Sequence, residues 1–238
     1  MKLLGFAPVF AAACGACSSP SNTVPDAKKT PDAAVDAAAC PADRFFTGQY
    51  VDWDSSDTGS FCGIMGATFE VHGDPAISHV TPPNGRFQLC LASATATQVD
   101  IAVPAAASPC TMPSSTYTLP GTTIADPAVI ASGQLVSMAN FTASREESLG
   151  VMLETANAFV FVHVDGTQAP VSITASSAAA QAHNGTTWGT GTTGSDVFFP
   201  NVDPSAGSTT VAMTGAIAGA GSVPLVAGTI TYVTLVAN

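Results

Sequence analysis

The feature that most constrains this chain is the shortness of its apolar runs beyond residue 44, which are rich in β-branched and aromatic residues and broken by Gly, Pro and Asn. Gln49-Tyr50-Val51-Asp52-Trp53, Ala67-Thr68-Phe69-Glu70-Val71, Arg86-Phe87-Gln88-Leu89-Cys90-Leu91 and Gln98-Val99-Asp100-Ile101-Ala102-Val103 alternate large apolar with polar or small side chains. A period of two turns one face inward and the other to water, so each run predicts an antiparallel strand. Asn84-Gly85, just before the third run, is a tight-turn dipeptide. The texture resumes at Ala158-Phe159-Val160-Phe161-Val162-His163-Val164, Pro170-Val171-Ser172-Ile173-Thr174, Asp196-Val197-Phe198-Phe199-Pro200, Thr209-Thr210-Val211-Ala212-Met213 and 228–236. These runs predict a mainly β protein with two small antiparallel β-sandwich domains, 44–118 and 157–238.

Between them, in 119–156, the period loosens and a partly helical connecting segment is expected. Asp126-Pro127-Ala128-Val129-Ile130 offers an N-cap followed by proline at the first helical position, and Ser144-Arg145-Glu146-Glu147 resembles a capping box. The Gly- and Thr-rich stretch 182–195 reads as a loop.

At the start, Lys2 leads into an apolar run over 3–16 that ends on small residues and two cysteines. This is the pattern of an export leader. As a helix the run would reach about 20 Å against about 30 Å of hydrocarbon, too short for a permanent span. Ala11-Ala12-Ala13-Cys14 and Cys14-Gly15-Ala16-Cys17 both resemble the bacterial lipobox, in which a cysteine after small residues is lipidated and becomes the mature N-terminus. The longer leader and the following Ser18-Ser19-Pro20 favour Cys17 over Cys14. The resemblance implies a signal peptide over 1–16 and a lipid anchor in the bacterial cell envelope, at the outer membrane. Residues 17–43, with Ser, Pro, Asp, Ala and a Lys28-Lys29 pair but no hydrophobic period, are expected to be a disordered tether.

Of the residues, 46% are hydrophobic, enough for a core, although alanine contributes heavily and buries little area per residue. Beyond the leader stand Cys40, Cys62, Cys90 and Cys110, an even set that in an exported chain predicts disulfides, with three pairings open. Seventeen acidic residues face six basic ones, a net charge of −11. Nucleic acid is excluded as a partner, because phosphate tracking needs clustered Lys and Arg. Anionic lipid lacks a polybasic patch to hold, so membrane contact is expected through the lipid anchor alone.

Gly48-Gln49-Tyr50-Val51-Asp52, Gly66-Ala67-Thr68-Phe69-Glu70-Val71 and Asn84-Gly85-Arg86-Phe87-Gln88-Leu89 resemble successive strand motifs of the carboxypeptidase regulatory-like domain. In the second half, 160–165, Ala169-Pro170-Val171-Ser172-Ile173, Phe198-Phe199-Pro200-Asn201-Val202 and 209–213 follow the same outline. The resemblance implies a transthyretin-like sandwich of about seven strands and an accessory, non-catalytic role, with no catalytic residues to carry over.

The residues themselves offer little chemistry. His72 and His79 flank a turn without the spacing that makes paired ligands converge, and His163 and His183 stand apart from them. Asp52, Asp54 and Asp57, among hydroxyls, form the candidate calcium site, yet they lack the glycine and distal glutamate of a calcium loop. A solvated acidic turn is the favoured reading of them, so no metal and no cofactor is expected. No Gly-x-Ser-x-Gly elbow or Ser-x-x-Lys pair occurs, and the glycine-rich 185–194 carries no lysine. Glu146-Glu147 suits a helix N-terminus better than acid and base roles. Trp53, Trp188 and Tyr232 could form a sugar-stacking platform, with Trp188 in its loop the ligand-binding candidate. The sequence therefore predicts a lipid-anchored structural or interaction module, not an enzyme, with envelope proteins or polysaccharide as partners. The alternative is a glycan-binding module of the envelope.

Overall fold

A computed structural model describes residue 40 and residues 45–53, 62–91, 98–103, 121–126, 134–138 and 143–238. The leader, the tether (apart from Cys40), Cys14, Cys17, Asp54, Asp57, Cys110 and the helix expected from Pro127 lie outside the described residues.

The fold is mainly β, with one short helix and three sheets among the described residues. The first sheet runs β4 (Arg86–Cys90), β1 (Phe45–Asp52), β7 (Gln134–Met138). The largest runs β11 (Trp188–Thr190), β10 (Gln181–His183), β12 (Asp196–Val202), β8 (Ala158–Asp165), β16 (Thr229–Ala237), β6 (Gly121–Ala125), β5 (Gln98–Ala102), β2 (Thr68–Val71), β3 (Asp74–Val80). β14 (Ala216–Ala218) pairs with the end of β16. The third sheet runs β15 (Gly221–Pro224), β13 (Ser208–Met213), β9 (Val171–Ile173). Helix α1 spans Ala143–Leu149 and stops at Gly150, whose φ of 65° suits glycine.

The large sheet is the middle layer. Phe159 and Phe161 of β8, Phe198 of β12 and Tyr232 of β16 turn to one side and pack with Tyr50, Phe69 and Phe87. Val160 and Val162, Val197 and Phe199, and Val233 and Leu235 turn to the other side, against Val171, Val211 and Val223 of the third sheet. Two sandwich cores thus share their middle sheet. Hydroxyls bind across the layers: Tyr50 lies 2.8 Å from Thr122 Oγ1 inside the first core. In the second, the Thr231 hydroxyl donates to the Pro224 carbonyl at 2.6 Å.

Four features differ from the sequence reading. The middle sheet takes β2, β3, β5 and β6 from before residue 126 and β8, β10, β11, β12, β14 and β16 from after 157, so 44–118 and 157–238 are joined by strand pairing. Segment 119–156, expected to connect, contributes β6 and β7 before α1. Not every pair is antiparallel: β16 runs parallel to both β6 and β8, and β1 runs parallel to β7. Side-chain alternation is the same in either orientation, so the period that located strands could not orient them. The expected loop 182–195 contains the β10–β11 hairpin, whose turn is held by Asn184 Oδ1 accepting from the amides of Thr186 and Thr187.

Cys40 is disulfide-bonded to Cys90, closing a span of 50 residues onto the end of β4. Chain-entropy arguments assign such a loop about 4 kcal/mol of stability. Cys62 is also disulfide-bonded, its partner lying outside the described residues.

β1 is clamped by two glycines. Ile64 N–H donates to the Tyr50 carbonyl at 2.9 Å, and Tyr50 N–H donates to the Gly85 carbonyl at 2.8 Å. Gly85 has φ 70°, and a Cβ there would stand 2.2 Å from Tyr50 O and 2.7 Å from Gly63 Cα. Gly85→Ala is expected to cost about 3 kcal/mol or more in urea unfolding, whereas Gly73→Ala, at φ 78° but in open space, should cost about 1–2 kcal/mol.

Candidate functional site

The polar chemistry of the middle sheet is concentrated in one row. Trp188, His183, Asp196, His163 and Thr234 are successive cross-strand partners on β11, β10, β12, β8 and β16. Residues two apart on a strand share a face, so this row stands beside Phe198, Phe161 and Tyr232 on the first-core side. His163 Nδ1 lies 2.8 Å from Asp196 Oδ1, and the Ser195 hydroxyl donates to Oδ2 at 2.9 Å. Burial, and then the charge of Asp196, push the Tyr232 hydroxyl well above the ordinary tyrosine range.

A second histidine and carboxylate meet on the opposite, open face of β2 and β5. His72 Nδ1 stands 2.6 Å from Asp100 Oδ2, while Gln98 Nε2 and the Thr123 hydroxyl donate to Asp100 Oδ1 at 2.7 and 3.1 Å. With side chains 63% and 40% exposed, that pair is worth no more than about 1 kcal/mol.

Ser195 and Thr123 aim their hydroxyl protons at the carboxylates, and among the described residues no serine or threonine hydroxyl bonds to a histidine ring. Each dyad links neighbouring segments of the sheet, His163 of β8 to Asp196 of β12 and His72, just after β2, to Asp100 of β5. The described residues contain no group of three His, Cys, Asp or Glu side chains able to hold a metal ion. Asp52 is buried at the end of β1, with its backbone N–H donating to the Cys62 carbonyl at 3.0 Å.

The expected aromatic platform is a packed cluster. Trp53 and Tyr232 are buried core residues, and Trp53 meets Phe198, Phe161 and Trp188 edge-on at 5.0, 5.2 and 5.3 Å. Trp188 is half-buried against them, and its indole N–H is buried without a hydrogen-bond partner among the described residues. Arg145 was legible only as part of a capping box. It is buried, with its guanidinium carbon 4.3 Å from the centre of the Trp53 ring, a desolvated cation–π contact. Ser144 falls inside the first turn of α1 instead of capping it, and Glu146 accepts from the Leu153 amide at 2.8 Å, bracing the segment that follows.

Sequence reasoning missed one concave feature. The outer face of β1 and β4 carries Thr47, Gln49, Arg86 and Gln88, flanked by His79 and Pro82, around an open groove of about 450 Å³. The signal was present as the polar positions of two alternating strands, but only their register brings them together.

No protein-family model and no curated protein matches the chain. Among solved structures, the shaft pilin SpaA of Lactobacillus rhamnosus GG is similar at 11% identity and a TM-score of 0.24, covering 82% of this chain and 98% of that one. A streptococcal ancillary pilin is similar at 14% identity and a TM-score of 0.22, covering 82% and 62%. Neither likeness is close enough to carry a functional assignment. Among the described residues no helix is long and apolar enough to cross a membrane.

Burial raises the Tyr50 hydroxyl well above its ordinary range, as it does that of Tyr232. A folded state that keeps protons longer than the unfolded chain is stable below the unfolded tyrosine value and weakens above it. From neutral pH the unfolding free energy in urea is expected to be flat up to about pH 10 and then to fall, by about 1.4 kcal/mol per pH unit for each buried tyrosine. Tyr232→Phe should lower stability modestly at neutral pH and make the alkaline decline shallower.

Proposed function

We propose that this chain is an exported lipoprotein of the bacterial cell envelope, anchored through Cys17, with 17–43 as its tether and the layered β body as a non-catalytic structural or interaction module. The observation that supports the reading is the Cys40–Cys90 disulfide, which ties a residue near the end of the 17–43 segment to the end of β4. Disulfides persist in oxidising compartments, which a leader over 1–16 would reach. Two apolar cores around one sheet, with His72 and His163 each paired to a carboxylate, suit a body built to keep its shape and offer surface. The strand motifs resembling the carboxypeptidase regulatory-like domain favour the same accessory role.

Expression in a bacterial host with a labelled fatty acid tests the anchor. The mature protein is expected to begin at Cys17 with the label attached, to lose it in Cys17→Ser and to keep it in Cys14→Ser. Intact mass with and without a reductant should also show the hydrogens gained at each opened disulfide. A mature chain that retains Met1, or carries no lipid, would contradict the proposal.

A further inference from the structure

The groove on the outer face of β1 and β4 has the chemistry of a binding site, and we infer that it takes the carboxylated sugar units, hexuronates, of an acidic polysaccharide. The inference goes beyond the structural role and stands on the groove alone, whether or not Cys17 carries lipid.

The geometry comes from register. Thr47 is paired with Gln88 and Gln49 with Arg86, so four polar side chains form a plate with strands about 4.8 Å apart and rows about 7 Å apart. That is the footprint of one sugar ring. Amides and a hydroxyl both donate and accept, as ring hydroxyls require. Arg86 supplies what a neutral sugar would not need. It is exposed in a chain of net charge −11, and among the described residues no carboxylate pairs with it. Its planar fork matches a carboxylate in two parallel hydrogen bonds.

The Gln49 side chain and the backbone of Arg86 are held in place before any ligand arrives. Gln49 Nε2 donates to the Asn84 carbonyl at 2.7 Å, leaving the Gln49 side-chain oxygen as an acceptor. Asn84 Oδ1 accepts from the Arg86 amide at 3.1 Å, and His79 Nε2 lies 3.2 Å from the Arg86 carbonyl. This preorganisation lowers the ordering cost of binding. The groove lies on a face of the sheet and not along its edge, so it reads its ligand through side chains instead of through backbone groups. Repulsion from distant acidic residues is screened over about 8 Å at physiological salt, so the local cation decides the sign of the interaction.

Isothermal titration of the purified mature protein at physiological salt tests this, with galacturonate and glucuronate oligosaccharides, a neutral oligosaccharide of equal length, and polyglutamate as separate arms. At least one uronate oligomer is expected to bind, with the neutral sugar and polyglutamate about tenfold weaker or worse. Arg86→Gln should weaken uronate binding about tenfold, and Gln88→Ala by several-fold. Both side chains are exposed, so unchanged thermal midpoints will show that the fold is intact. Absence of binding by both uronates, equal binding by Arg86→Gln, or polyglutamate binding as tightly as uronate would each overturn the inference.

Discussion

The structure depends on β16, a strand paired on both sides and buried on both faces. It runs parallel to β8 from Ile230 to Val236 and parallel to β6 from Thr229 to Tyr232. Its side chains alternate between the two cores, Ile230 and Tyr232 into one, Val233 and Leu235 into the other. A strand in that position cannot leave without opening both apolar layers and both ladders. The first-half strands β2, β5 and β6 are joined to the second-half strands through it. The chain's two textural halves therefore share one sheet in three dimensions.

Trp53 does for the first core what β16 does for the sheet. It sits at the end of β1, receives the edges of Phe161, Phe198 and Trp188, and offers a ring face to Arg145 of α1. Burying a guanidinium is costly unless it is compensated, and an aromatic face is one of the few apolar surfaces that attracts it. Further on, Asn201 performs a similar pinning role with hydrogen bonds. At φ 50° in the irregular stretch of β12, it accepts from the Glu154 amide and donates to the Met152 carbonyl.

How much was legible in the sequence follows from how many faces each strand buries. β2 and β5 alternate cleanly because only one face is covered, and both were read from Phe69, Val71, Val99 and Ile101 alone. β8 buries both faces, so its run of Phe and Val has no period of two, and nothing in it tells one core from two. β6, Gly-Thr-Thr-Ile-Ala, was missed because it is short, starts on glycine and is buried on both faces, so it shows no alternation of large apolar with polar side chains; its threonines find partners in Tyr50 and Asp100. The same holds for function. Trp188 drew attention as an aromatic in a glycine-rich segment, yet it packs against Trp53. The Arg86 plate needed the β1–β4 register to exist at all.

Native-state hydrogen exchange tests the shared sheet most directly. The account predicts that amides of β5 and β6 exchange with those of β8 and β16 at one common free energy, the global unfolding limit, even in mild denaturant. If the strands before residue 126 lose protection while β8, β12 and β16 keep theirs, the two halves are separate folding units and the account is wrong.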